Sequence, residues 1–185
     1  MTRLPRSFFR CQYPPAAALL VAAALQFSWI PAHADEAAEV RAMAATGNLA
    51  GALQRSEQAL ASKPRDTQLR FLHGVMLMDN QRDEAAMAVF TQMSQEYPEL
   101  PDPYNNIALL HARAGRLEQA MAAVQEALRA EPSHRTAKAN LGQLHLMLAV
   151  KTWESMARGG PIDPTLQRRL DGARALLAST GIAAR

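Results

Sequence analysis

Between residues 117 and 128 the apolar positions are Leu117, Ala120, Met121, Val124, Ala127 and Leu128, and no glycine or proline interrupts them. That i, i+3, i+4, i+7 spacing lays a single apolar stripe along a helix. Leu49, Ala52, Leu53, Ser56, Ala59 and Leu60 repeat the stripe earlier in the chain with one polar substitution, at Ser56. A second helix is expected in front of each. For the stretch DPYNNIALLHARAG at 102–115, Asp102 is the expected cap, with Pro103 in the first turn, where a missing N–H does no harm.

The pattern has a period. Pro64, Pro98 and Pro132 are each 34 residues apart, and Gly74, Ala108 and Gly142 form a parallel series of small residues at the same interval. Ala52 and Ala59, Ala86 and Met93, and Ala120 and Ala127 keep one phase before the three prolines, and Gly47 and Gly115 mark a turn. Each period therefore reads as a helix hairpin whose stripe is buried only against a neighbour, which is the logic of a stacked repeat. The fourth unit begins in phase with Asn140-Leu141-Gly142 and then departs, because Ala149 stands at the turn position. The segment LHLMLAVKTWESMARGG then reads as one helix running to about Arg158. After GGPIDP a last amphipathic helix is expected, with Asp163 as cap, Pro164 at its start, and Leu166, Leu170, Ala173 and Leu177 on one stripe.

In these residues the chain resembles the tetratricopeptide repeat (TPR) proteins. PDPYNNIALLHARAGRLEQAMAAVQEALRAEPSH, 101–134, looks like one full unit, with Tyr104, Ile107-Ala108, Gly115, Ala120, Ala127 and Pro132 at the family's positions. Unit 67–100 shares Gly74, Ala86, Phe90 and Pro98 but departs at Arg70 and His73, where a large apolar residue is usual, and the first unit is clear only in its second helix. The resemblance implies an all-α TPR-like solenoid of three to four stacked hairpins over residues 35–158, with units near 35–66, 67–100, 101–134 and a partial 135–158, followed by a C-terminal capping helix and tail at 159–185. A dimerisation arm is the rival reading of that tail, since Trp153 and Met156 lie on the overlong helix.

The resemblance also implies a function. TPR proteins bind other proteins, commonly a peptide or a helix in the concave groove lined by the first helix of each hairpin. Carried across, the groove phases are Phe71, Val75, Met78 and Asp79; Asn105, Leu109, Ala112 and Arg113; and Ala139, Gln143, Leu146 and Met147. Asn106 and Asn140 match the phase where the family often has an asparagine bonded to a ligand backbone, the alternative being that these amides tie adjacent helices together. With Arg113 nearly alone and Asp79 opposing it, recognition by apolar contacts and backbone hydrogen bonds is expected, with little dependence on salt.

The N-terminus changes the charge picture. Arg3, Arg6 and Arg10 precede the apolar run AAALLVAAALQFSWI at 16–30, which ends at Ala32-His33-Ala34. These are the zones of a secretory signal peptide over 1–34, and the run is shorter than the roughly 20 residues of a membrane span. Cys11 precedes the run, so it does not mark a lipoprotein, and Arg6 and Arg10 are not the adjacent pair of twin-arginine export. The expected product, cut between Ala34 and Asp35, is periplasmic or secreted, without a membrane span. Removing three arginines from 20 Lys+Arg against 17 Asp+Glu leaves 17 against 17. The basic pI therefore does not argue for nucleic acid. The remaining chain has no cysteine and holds together by packing alone.

No catalytic constellation emerges. His73, His111, His134 and His145 lack an HExxH spacing, no serine lies in a Gly-x-Ser-x-Gly elbow, and Gly159-Gly160-Pro161 is not a phosphate loop. His111 and His145 share a repeat phase, with Met78 and Met147 nearby in phase, so a copper-type metal-handling protein is an alternative class. Packing histidines and gap-filling methionines are the plainer reading. The sequence thus points to a non-enzymatic adaptor of the cell envelope, without cofactor. Further alternatives are an accessory subunit of an envelope enzyme docked through its C-terminal helices, and a homodimer through the same helices.

Overall fold

The computed structural model describes residues 35–179. The signal-peptide expectation falls on residues 1–34 and the end of the tail on 180–185, outside the described residues. Among the described residues there are eight helices and no strand: α1 (Glu36–Ala45), α2 (Leu49–Ser62), α3 (Thr67–Asp79), α4 (Asp83–Glu96), α5 (Pro101–Arg113), α6 (Leu117–Ala130), α7 (Arg135–Gly159) and α8 (Pro164–Ser179). They form successive hairpins, each packed on the next. None of these helices is long and apolar enough to cross a membrane.

The 34-residue phase reappears in the backbone. Gly47 and Gly115 turn the first and third hairpins with φ of 82° and 71°, the left-handed region where a Cβ is costly. At the same phase in the second hairpin stands Gln81, with φ 61°. At the other end of each unit Lys63, Tyr97 and Glu131 precede the three prolines, and all three leave the helical region, with ψ of 64°, 68° and 97°. The clash between a proline ring and the residue before it explains why α2, α4 and α6 stop there.

Helix α1, which the apolar pattern left unclear, completes the first hairpin. Its buried residues are Ala37 and Val40, and Asp35 caps it by accepting from Ala37 N at 3.2 Å. Asp66 caps α3 in the same way, accepting from Leu69 N at 3.0 Å. The expected cap at Asp102 is a correction. Helix α5 starts two residues earlier, with Leu100 as N-cap and Pro101 in its first turn, and has no side-chain cap. Proline already supplies the helical φ and lacks the orphan N–H. Asp102 Oδ1 instead meets His134 Nε2 at 3.2 Å, while His134 Nδ1 accepts from Ala137 N at 3.2 Å to cap α7.

In α7 the helix passes through Ala149 and extends over 25 residues, against 13 each in α3 and α5. Asp163 then caps α8, accepting from Thr165 N at 2.7 Å and Leu166 N at 3.3 Å.

The core is a chain of three apolar clusters. The first joins α1 to α4 and takes in Leu110, the second joins α5 to the front half of α7, and the third joins the back half of α7 to α8 through Val150, Leu170, Ala173 and Leu177. The polar residues that break the stripe satisfy one another. Ser56, 0% exposed, gives its hydrogen to the Leu53 carbonyl at 2.7 Å and its oxygen lies 2.9 Å from His73 Nδ1. Arg70 pairs with Glu96 and lies 5.8 Å from the Tyr97 ring centroid. The two departures from the apolar pattern in unit 67–100 are therefore paired contacts between helices.

Candidate partner-binding groove

The first helices α1, α3, α5 and α7 carry the groove phases, and burial divides the expected residues. Met78, Asn105, Asn106 and Ala112 are 6%, 4%, 8% and 7% exposed. Their side chains are engaged inside the protein. Phe71, Val75, Leu109, Asn140, Gln143, Leu146 and Met147 are half-buried, and Asp79, Arg113 and Ala139 are exposed. Half-buried apolar side chains along three successive helices give a surface that is fixed by packing yet open to a partner.

The asparagines do structural work. Asn140 Nδ2 donates to Asn105 Oδ1 at 2.8 Å, tying α7 to α5, and Asn106 Nδ2 donates to the Asp102 carbonyl at 2.9 Å within α5. Asn106 and Asn140 share a phase, yet the contact joins Asn105 to Asn140. Equal phase places two residues on equivalent faces; the facing partner lies one residue off.

Arg113 is also committed. It lies 3.4 Å from the Met78 carbonyl at the end of α3 and 3.4 Å from Asp83 Oδ1. Asp79 lies within its field, and partial burial raises the Asp79 pKa against the pull of Arg113. Arg41 escaped the sequence reading because α1 was not legible, and its contact with Gln68 of α3 went with it. Arg41, 34 residues before Val75, pairs with Asp35 at 3.4 Å, and the Gln68 amide, oriented oxygen-inward, accepts from Arg41 Nη1 at 2.9 Å. The groove is thus lined by apolar side chains, with its cations neutralised from within. At its C-terminal half Ala108, Leu109, Ala112, Asn140, Gln143, Leu144 and Met147 line a shallow depression between α5 and α7.

The histidine pair of the alternative metal-handling reading does not gather ligands among the described residues. His111 Nδ1 accepts from Arg116 Nε at 3.0 Å, and burial together with that guanidinium holds the imidazole below the usual histidine range. His145 is exposed, and among the described residues no cluster of three or more His, Cys, Asp or Glu side chains has metal-binding geometry. A cation adjoining His111 disfavours a second cation there.

Comparison with known proteins agrees with this architecture. A family model described as tetratricopeptide repeat matches residues 101–134. The chain carries a TPR unit. Its fold is similar to the crystal structure of a thermophilic TPR protein of Thermus thermophilus, with a TM-score of 0.58 and 18% identity over 80% of this chain and 82% of that one. No curated protein matches in sequence. The fold is therefore a TPR-like α-solenoid, an architecture that in general serves as a non-enzymatic scaffold for protein–protein interaction.

Proposed function

We propose that this protein is a non-enzymatic adaptor of the cell envelope, exported through residues 1–34, which binds a peptide or helix in its concave groove. The observation that carries the reading is the groove's lining: Phe71, Val75, Leu109 and Met147 keep accessible apolar surface, while Arg113 and Arg41 face acidic groups of the protein itself. Such a surface supports recognition by apolar contact, beside Leu109 and Met147, and by hydrogen bonds to a ligand backbone. Charge steering contributes little when no unpaired cationic cluster faces the ligand.

The test is photo-cross-linking in intact cells from position 109, in the groove, and from position 88, exposed on α4. A discrete protein adduct from 109 and none from 88 supports the groove. Equal labelling from both positions defeats it. With the partner isolated, its dissociation constant should change less than about threefold between 50 and 300 mM salt, whereas a change of tenfold or more would mean that charge dominates. Localisation of the chain to the cytoplasm after fractionation would remove the envelope part of the reading.

A further inference from the structure

Each internal hairpin closes its second helix onto its first, and the contact leaves a signature in the first helix. A Cβ built at Gly74 would lie 2.6 Å from Phe90 Cε1, so the ring of α4 seats directly on the α3 backbone. Four residues earlier Arg70, 9% exposed, pairs with Glu96 at the end of α4. One turn later Leu77 is 2% exposed. In the next hairpin Ala108 replaces Gly74 and Val124 replaces Phe90, both buried in one cluster, so the small position grows as its knob shrinks.

Helix α7 carries the glycine and the cation of that signature without the contact, and has a histidine where the leucine stood. Lys138, Gly142 and His145 stand 68 residues after Arg70, Gly74 and Leu77, and all three are exposed. Nothing lies within 4 Å of a Cβ built at Gly142, and the Lys138 ammonium has no partner among the described residues. The cause is the missing turn at Ala149. With 25 residues in α7 against 13 in α3, the chain reverses about 18 Å farther along the helix axis. Helix α8 then returns over Leu146, Val150 and Trp153, so that among the described residues no helix covers the face of α7 that carries Lys138, Gly142 and His145.

We propose that this open seat receives a helix from another polypeptide. That helix is amphipathic, with an aromatic residue to fill the space over Gly142, as Phe90 does over Gly74, and a carboxylate six residues further on to meet Lys138, as Glu96 meets Arg70. The charge sign follows from Lys138, and the size of the knob from the glycine. A second copy of this chain is a poor source. Its α4 and α6 are already seated in their own hairpins, and the stripe of α8, Leu166, Leu170, Ala173 and Leu177, contains no aromatic. The seat lies on a different face of α7 from the groove, so this inference stands apart from the proposed function.

The test uses the full chain and a fluorescein-labelled peptide with the sequence of residues 83–97, crosslinked between the positions of Ala88 and Gln92, which are exposed in α4, so that it enters as a helix. Saturable binding is expected with a dissociation constant on the order of 10 μM. Gly142→Leu fills the seat and should weaken binding about tenfold or more, as should Phe90→Ala within the peptide. Lys138→Glu should weaken the native peptide and restore binding to a peptide carrying Glu96→Lys. Leu109→Glu, in the groove, should leave the binding of this peptide unchanged, so failure of the groove reading and failure of this one are read separately. Circular dichroism verifies that the Gly142 variant remains helical. No saturable binding at about 1 mM peptide, or binding unaffected by Gly142→Leu, overturns the proposal. So does a dimer in light scattering that Gly142→Leu converts to monomer, because the seat would then belong to a second copy.

Discussion

The hairpin α3–α4 and the hairpin α7–α8 share a register and differ in what the register achieves. In the first, Gly74 and Arg70 lie under α4; in the second, Gly142 and Lys138 face outward because the helix runs on through Ala149. One turn residue has changed the neighbour of every residue on that face. Repeat phase specifies which surface a residue occupies, and the position of the chain reversal specifies what covers it. The third core cluster is accordingly a local one, confined to α7 and α8, whereas Phe90 belongs to a cluster that spans α1 to α5.

The largest expected effect separates those two cores. Phe90 is 0% exposed, and Phe90→Ala should cost about 3–5 kcal/mol of global stability, read as a lower urea midpoint of the whole helical transition. Leu170 is 1% exposed, yet Leu170→Ala should release α8 alone. Amide exchange would then accelerate in 164–179 while α3 and α4 keep their protection, as expected where stability is a sum of neighbour interfaces. If Leu170→Ala lowers protection equally in α3, the two cores form one cooperative unit and the comparison is wrong.

A second pair of substitutions should differ in sign. Gly74→Ala forces a Cβ into the Phe90 ring and should destabilise by about 1–3 kcal/mol. Gly142→Ala meets open space in a helix interior and should stabilise by about 0.5–1 kcal/mol. Denaturant curves of the two variants side by side decide it. Two destabilising results would mean that the face of α7 is covered.

The central stack should also respond to pH where α8, which has no histidine, does not. Burial holds the His73 imidazole below the usual histidine range, with Glu57 opposing and Arg82 adding to the lowering. The unfolded chain, titrating near about pH 6.5, therefore takes up the proton first. Stability contributed by the neutral ring is full above that pH and is lost as pH falls from there through the lower folded value. Unfolding midpoints at pH 8 and pH 5 should differ more in the native chain than in His73→Gln. An equal difference in both would place the sensitivity elsewhere.

Much of this was legible in the sequence. The prolines, the small-residue series and the amphipathic stripes specify the period, the helix ends and the missing turn at Ala149, because each rests on local sterics. Contacts across the period were harder to read. Ser56 and His73 each look like a flaw in a stripe until the fold sets them 2.9 Å apart, and Asn140 meets Asn105 rather than its phase-mate Asn106. Such pairings depend on the rotation between neighbouring hairpins, which no single unit encodes. The first helix went unread because α1 buries only Ala37 and Val40, too few apolar positions for a stripe.

The smallest effect tests the turn itself. Gln81 takes φ 61° where Gly47 and Gly115 occupy the same phase, a conformation that is strained for a residue with a Cβ. Gln81→Gly relieves that strain but adds freedom to the unfolded chain, so a net stabilisation of about 0.5 kcal/mol is expected. The same substitution at the corresponding position of α7, Ala149→Gly, finds a helix interior and should destabilise by about 1 kcal/mol. If Ala149→Gly instead raises the melting temperature, a glycine there is being used as a turn, and α7 has broken to let α8 swing onto Gly142. Chain reversal at residue 149 would then be the one local choice that separates the terminal hairpin from the others, and Gly142→Leu should block the gain.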